Sequence, residues 1–136
     1  MIWHGDTIYE QRRSQFAAQV QIAGDGLSEQ MKSTVGVDGP PRSLPGEPPH
    51  TDTTDLQQSI GSTLDESDPD RPRAIVGSGI EYGIYLELGT GARASDPTKT
   101  KHHGTVHQIA GMAPRPWCLS TLKNGKQLIR LNILGK

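Results

Sequence analysis

The first quarter of the chain has the periodicity of an amphipathic helix. Between Asp6 and Thr34 the apolar residues recur at spacings of three, four or their sums, which places them on one face of an α-helix. This stripe consists of Ile8, Phe16, Ala17, Val20, Ala23, Leu27 and Met31. Gly24 and Gly26 each cost about 1 kcal/mol relative to alanine inside a helix, so the pattern also allows a break near Asp25.

The middle of the chain has the pattern of a β-hairpin. Thr54 can cap a short turn through Leu56, and residues 59–64 then alternate apolar with small or polar side chains. Residues 65–72 are acidic and contain prolines, which predicts a turn before a second strand at Arg73 to Ser78. Two strands alone are marginally stable, so we expect a helix to cover one face of the hairpin.

Two further helices are predicted. Ile80, Ile84 and Leu88 recur at i, i+4 and i+8, and Gly89 is expected to end this short helix in the left-handed conformation. Pro116 is suited to the first position of a terminal helix. The apolar residues of that helix are Trp117, Leu119, Leu122, Leu128, Ile129 and Leu131, and Asn124 and Gly125 weaken its centre.

Two long segments have no periodicity. Residues 36–53 contain five prolines and three glycines, which predicts an extended arm. Residues 90–113 form a second long loop, and loops of this length are unusual inside a compact monomer. The sequence therefore predicts a single α+β domain over residues 1–136, with an arm that docks on a neighbouring subunit.

Composition supports a dependence on partners. Only 32% of the 136 residues are hydrophobic and 4% aromatic, so the core available to offset chain entropy is small. The formal charge of −1 gives no global attraction to nucleic acid or to an anionic membrane. A single cysteine excludes an intrachain disulfide. We expect neither a leader nor a membrane-spanning segment, and synthesis in the cytoplasm.

Three stretches, in their order and spacing, carry a resemblance to a known family. They are LPGEPPHTDTTDLQQSI (residues 44–60), YGIYLELGT (82–90) and GMAPRPWCLSTL (111–122). Together they resemble the neck or tail-completion proteins, which join head to tail in tailed bacteriophages. The resemblance implies a structural virion protein without catalytic activity, made in the host cytoplasm and assembled as a homo-oligomeric ring between the portal and the tail. It also implies other connector and tail proteins as partners, and passage of DNA through the bore.

Within these motifs we expect the contacts between subunits. The candidates are Pro45, Gly46, Pro48, Pro49, Leu56, Tyr82, Tyr85, Leu88, Gly89, Pro114, Pro116 and Trp117. The PGEPP segment has three possible roles: a ligand for an aromatic-lined domain, a stiff arm on a neighbouring subunit, or a plain surface loop. Trp117 is expected to anchor the terminal helix, since a buried indole removes a large apolar area from water.

The second loop has the strongest candidates for ligand binding. Arg93, Lys99, Lys101, His102 and His103 could meet DNA phosphates in the bore of a ring. His103 and His107 have the spacing of a helical zinc pair, but no helical period or further ligand accompanies them. We therefore expect no metal and no cofactor.

Glu87 and Cys118 also carry side chains capable of acid–base or nucleophilic chemistry. Glu87 has no acidic, histidine or cysteine partner at fixed spacing, so it is interpreted as a helix end rather than a general acid or base. Cys118 lacks an evident activating group and is interpreted as a partly buried core residue. The alternative functions are a tail-tube terminator or minor tail protein, a DNA-binding accessory protein and, least favoured, a small metal-dependent hydrolase.

Overall fold

The computed structural model describes residues 5–36, 43–50, 54–90 and 111–134, with the backbone alone for residues 127–134. The elements are helices α1 (Gly5–Thr34), α2 (Asp55–Ser59), α3 (Tyr82–Leu88) and α4 (Cys118–Leu134), and strands β1 (Ile60–Asp65) and β2 (Arg73–Ser78). The predicted α+β class is confirmed.

Helix α1 runs without interruption through both of its central glycines, so the break considered near Asp25 is absent. Gly24 lies against β2, where a Cβ would stand 2.6 Å from the Cβ of Ala74. The Asp25 carboxylate accepts hydrogen bonds from the side chains of Gln21 and Ser62. The glycine thus allows a close approach between helix and hairpin that offsets its low helix propensity.

The hairpin forms as predicted, with β1 displaced one residue along the chain from the expected 59–64. Strands β1 and β2 are antiparallel, and the register runs from Ile60 opposite Ser78 to Asp65 opposite Arg73. Ile60 is buried and Val76 packs against the core, whereas Ile75 on the other face is 61% exposed. Helix α1 covers the inner face, as expected from the instability of an isolated hairpin.

The turn of the hairpin supports the N-terminal half of α1. The Tyr9 hydroxyl donates a 2.6 Å hydrogen bond to the Asp70 carboxylate, and this bond raises the pKa of Tyr9. Arg13 Nε donates to the carbonyl oxygen of Pro69 at 3.0 Å. These contacts hold the first turns of α1 beside the hairpin.

Helix α4 lies antiparallel to α1. Thr121 Oγ1 donates a 3.0 Å hydrogen bond to Thr34 Oγ1, and one turn later a Cβ on Gly125 would stand 2.9 Å from Leu27 Cδ1. The sequence suggested that Asn124 and Gly125 weaken this helix, yet α4 is continuous through both. Gly125 instead leaves room for the side chains of Leu27 and Gln30 against α4.

The core lies at the C-terminal end of α1. Its buried cluster consists of Leu27, Met31, Val35, Leu56, Ile60 and Trp117. The predicted stripe of α1 is buried from Ala17 onward, but Ile8 is 53% and Phe16 41% exposed, so for these two the prediction of burial was wrong. The hydrogen bonds from this end of α1 to the hairpin turn are made by the polar groups of Tyr9 and Arg13, which do not cover Ile8 or Phe16.

In the predicted stripe of the terminal helix, the burial of Trp117 is confirmed, but the predictions for Leu119 and Leu122 are wrong. Leu119 and Leu122 are 52% and 38% exposed, whereas Trp117, Thr121 and Gly125 are buried. The buried set has the i, i+4, i+8 spacing of one face, and two of its three members are small. The remaining predicted members, Leu128, Ile129 and Leu131, have side chains outside the described residues.

Candidate functional site

The three motif stretches meet at one place, which we call the junction: residues 43–50, 82–90 and 111–119. The Gly46 N–H donates to the Pro114 carbonyl at 2.9 Å, and the Arg115 N–H donates to the Leu86 carbonyl at 2.7 Å. The Arg115 guanidinium also donates to the carbonyl oxygen of Ser43, from Nε at 3.3 Å and from Nη2 at 3.1 Å. The segment 111–119 is therefore tied to both other stretches.

Glu87 caps helix α4 from another element of the fold. One carboxylate oxygen accepts the N–H groups of Trp117 at 2.8 Å and Cys118 at 3.0 Å, and the other accepts that of Leu119 at 2.9 Å. The first N–H groups of any helix lack partners within it, and a carboxylate there also interacts favourably with the helix dipole.

This cap corrects two interpretations of the sequence. Pro116 is not the first residue of the helix, because α4 begins two residues later at Cys118, with the carbonyl of Trp117 accepting the first bond of the helix from Thr121. Glu87 is more than a helix end. One signal could have found it: tryptophan has no side-chain acceptor for the cap position, so α4 required a cap from elsewhere.

Trp117 is 4% exposed and anchors α3 as well as α4. Its indole N–H donates to the Gly83 carbonyl at 3.2 Å, and a Cβ on Gly83 would stand 3.5 Å from the ring. The indole covers Gly83, which is the buried residue of α3. The helix begins at Tyr82, and not at Ile80 as predicted. Ile84, expected on the buried stripe, is 56% exposed because the indole occupies the adjacent face.

Gly89 ends α3 with φ 76° and ψ −178°. The positive φ was predicted, but ψ is extended and not in the left-handed helical region. A Cβ here would stand 2.6 Å from the Met112 carbonyl oxygen. The Thr90 N–H donates to that same oxygen at 2.8 Å, and the Met112 N–H donates to Thr90 Oγ1 at 2.9 Å. These bonds join the two ends of the segment 91–110.

The first motif contributes a tight turn. The Glu47 N–H donates to the Leu44 carbonyl at 3.1 Å, and the Leu44 N–H donates to the Glu47 carboxylate at 3.0 Å. Pro45 and Gly46 hold the two central positions, and Gly46 has φ 87°, as a type II turn requires. The turn leaves Leu44 64% exposed, although its backbone is fixed.

The twelve residues predicted to contact other subunits differ in exposure. Pro49, Leu56, Gly89 and Trp117 are buried within the chain, so they serve the fold itself. Pro48, Tyr85, Leu88, Pro114 and Pro116 are half-buried, and Pro45, Gly46 and Tyr82 are exposed. The described part of the arm, residues 43–50, is bound to its own chain.

No protein-family model matches the chain, and no curated protein or solved structure is detectably similar to it. The resemblance to the phage neck family rests on the three motifs alone.

The candidates for DNA or metal binding lie outside the described residues. They are Arg93, Lys99, Lys101, His102, His103 and His107. Within the described ranges, no three metal-ligating side chains come together. No helix in the same part of the chain combines the length and apolar character needed to cross a bilayer.

One open cavity of about 460 Å³ adjoins the junction, and we call it the α3 cleft. It lies between the end of β2, helix α3 and the start of α4. Its lining consists of Gly77, Ser78, Gly79, Ile80, Glu81, Gly83, Ile84, Glu87, Trp117 and Cys118. Two of these residues are acidic and none is basic.

Cys118 has the environment of an unreactive thiol. Burial, and secondarily the Glu87 carboxylate, raise the pKa of the Cys118 thiol above its ordinary value. A raised pKa lowers the thiolate fraction near neutral pH, and the thiolate is the nucleophilic form. The cleft is therefore poorly suited to thiol chemistry near neutral pH.

Proposed function

We propose that this chain is a structural subunit of the ring that joins head to tail in a tailed bacteriophage. In this role it has no substrate, and its partners are further copies of itself together with the connector and tail proteins on either side. The viral DNA passes through the ring.

The observation that carries the proposal is the convergence of the three motif stretches on the junction. Residues 43–50 and 111–119 are far apart in sequence, yet they are connected by the bonds of Gly46 and Arg115. The motifs that carry the resemblance thus act together as one structural unit. The hydrogen bonds between them are made mostly by backbone groups and by the cap of α4. Such bonds fix the positions of these segments, as a structural role requires.

The distribution of apolar side chains supports the same role. Ile8, Ile75 and Ile84 belong to three different elements, and each is more than half exposed. A chain with a small core that leaves such residues in water gains stability when other subunits cover them.

The test is a phage in which this chain is absent. With an amber codon in its gene, we expect a nonpermissive host to accumulate DNA-filled heads and separate complete tails, which electron micrographs distinguish. Purified wild-type chain added to the lysate should restore joined particles. Tails of irregular length beside normal heads would indicate a tail-tube terminator instead, and normal joined virions would refute the proposal.

A further inference from the structure

The first turns of α1 form an exposed projection, which we call the α1 arm: residues 5–16. None of these residues is buried. Ile8, Arg12 and Phe16 follow one another at i, i+4 and i+8 and therefore form a stripe along the arm. Ile8 and Phe16 are 53% and 41% exposed. Arg12 is exposed and pairs with no acidic side chain among the described residues.

The arm is also fixed in direction. It belongs to an uninterrupted helix, and Tyr9 and Arg13 bind the hairpin turn through Asp70 and Pro69. A rigid helical stripe loses little conformational entropy when it docks. Apolar side chains at helical spacing are the usual anchors of a helix that binds in a groove.

The α3 cleft has complementary chemistry. Ile80, Ile84 and Trp117 supply apolar lining, Glu81 and Glu87 supply acidic groups, and no basic residue is among the described residues that line the cleft. Glu87 is engaged in capping α4, whereas Glu81 is exposed and forms no ion pair within the described part of the chain. A docked group with an apolar side chain and a cation would suit this lining.

The arm and the cleft of one chain cannot meet. Met31 packs in the same core cluster as Trp117, which lines the cleft. Ile8 lies 23 residues from Met31 on one continuous helix, a separation of roughly 35 Å at the α-helical rise. Any occupant of the cleft that comes from an arm must therefore belong to a second copy.

We propose that the α1 arm of one copy docks in the α3 cleft of the next, with Ile8 against the apolar lining and Arg12 facing Glu81. The two surfaces differ, so the contact is head-to-tail, and its repetition generates a closed ring when the rotation between copies permits. This inference rests on the proposed function and names the contact between neighbouring subunits.

Disulfide trapping tests the contact, because the native Cys118 lines the cleft. In the full-length chain, copper phenanthroline should oxidise Ile8→Cys to a ladder of dimers, trimers and higher species on a nonreducing gel, at a pH alkaline enough to ionise part of the Cys118 thiol. The matched control is Ile22→Cys, since Ile22 is 58% exposed on the same helix but lies outside the α1 arm. Adding Cys118→Ser to Ile8→Cys should abolish the ladder. No ladder, an equal ladder from Ile22→Cys, or one that survives Cys118→Ser would overturn the proposal.

Charge reversal tests the orientation. Arg12→Glu and Glu81→Arg should each weaken self-association by roughly tenfold or more, because each places like charges in contact. The mixture of the two variants should associate again, since each arm then meets an opposite charge on the other copy. Sedimentation gives the readout, and circular dichroism should confirm that both variants are folded. Failure of the mixture to recover would overturn the head-to-tail pairing.

The experiments distinguish failure of this contact from failure of the proposed function. If the ladder is absent while the amber phage still yields unjoined heads and tails, the chain joins virions through another contact. If a ladder forms but the amber phage makes normal virions, the head-to-tail contact stands and the neck assignment falls.

Discussion

The carboxylate of Glu87 accepts the N–H of Cys118 at 3.0 Å across 31 positions of sequence. This bond, with its neighbours at Trp117 and Leu119, connects the end of α3 to the beginning of α4. Because the cap of α4 comes from α3, the start of α4 is stabilised only while α3 is folded in place. The junction should therefore fold and unfold as a unit.

Removing the cap should destabilise the protein measurably. We expect Glu87→Ala to lower the free energy of unfolding by about 1.5–3 kcal/mol, the range for hydrogen bonds to a charged group. Urea unfolding followed by circular dichroism measures the loss. Glu81→Ala is the matched control one turn and a half earlier, and its exposed side chain should change stability by less than about 0.5 kcal/mol. Equal losses in the two variants would contradict the capping role.

Two glycines with positive φ should respond differently to substitution. Gly46→Ala adds only the cost of a left-handed alanine, about 1–2 kcal/mol, because no atom lies within 4 Å of its new Cβ. Gly89→Ala should cost more, since its Cβ would also collide with the Met112 carbonyl oxygen at 2.6 Å. Unfolding midpoints of the two variants provide the comparison. A smaller loss for Gly89→Ala than for Gly46→Ala would show that the chain avoids the collision by shifting.

At Gly24, the contact of α1 with the hairpin should reverse the usual effect of a glycine-to-alanine substitution on stability. Glycine to alanine inside a helix normally stabilises by about 1 kcal/mol. Gly24→Ala should instead destabilise, because the new methyl group would lie 2.6 Å from Ala74 Cβ. The second change Ala74→Gly removes the obstructing atom, so the double variant should recover stability in a thermal unfolding experiment. If Gly24→Ala alone raised the stability, helix and hairpin would be able to move apart at no cost in free energy, which would contradict the prediction.

Truncation of Trp117 should remove much of the stability of the domain. Burying the indole nearly completely predicts a loss of about 3–5 kcal/mol for Trp117→Ala, against a typical total of 5–15 kcal/mol. Trp117→Phe keeps a ring but loses the bond to the Gly83 carbonyl, so an intermediate loss is expected. Leu119→Ala, at a 52% exposed position, serves as the control and should have little effect. Comparable losses at 117 and 119 would refute the anchoring role.

The thiol of Cys118 should titrate at a higher pH in the folded chain than in the unfolded one. Burial raises its folded pKa, so its stabilising contribution is complete below the unfolded pKa and is lost as pH rises through the folded pKa. Alkylation by iodoacetamide, measured against pH with and without urea, should show the folded midpoint at higher pH. Coincident midpoints would mean that the thiol is freely solvated.

Local patterns were sufficient to predict much of the fold. The alternation in residues 59–64 and 73–78, with the turn between them, identified the hairpin because the pattern and the pairing involve neighbouring segments. The period of α1 likewise identified the helix. It could not show that burial begins only at Ala17, because the period is the same in the exposed and in the buried part of the helix.

The candidate site was predicted less completely, since its bonds are long-range. The sequence predicted that Trp117 anchors the terminal helix and that Gly89 ends α3 with a positive φ, and both are confirmed. Nothing local to Glu87 indicates that α4 begins beside it. Leu119 is exposed because the buried face of α4 is the one that continues from Trp117. The apolar residues of α4 do not by themselves indicate which face that is. Such features depend on tertiary packing, which periodicity does not encode.

The location of this chain in the virion tests the central claim most directly. A phage carrying the chain with a small epitope should be labelled with gold-conjugated antibody and imaged by electron microscopy. We predict gold at a single position on each particle, between the head vertex and the tail. Label distributed along the tail tube or over the head, or no label on purified virions that contain every other structural protein, would contradict the account.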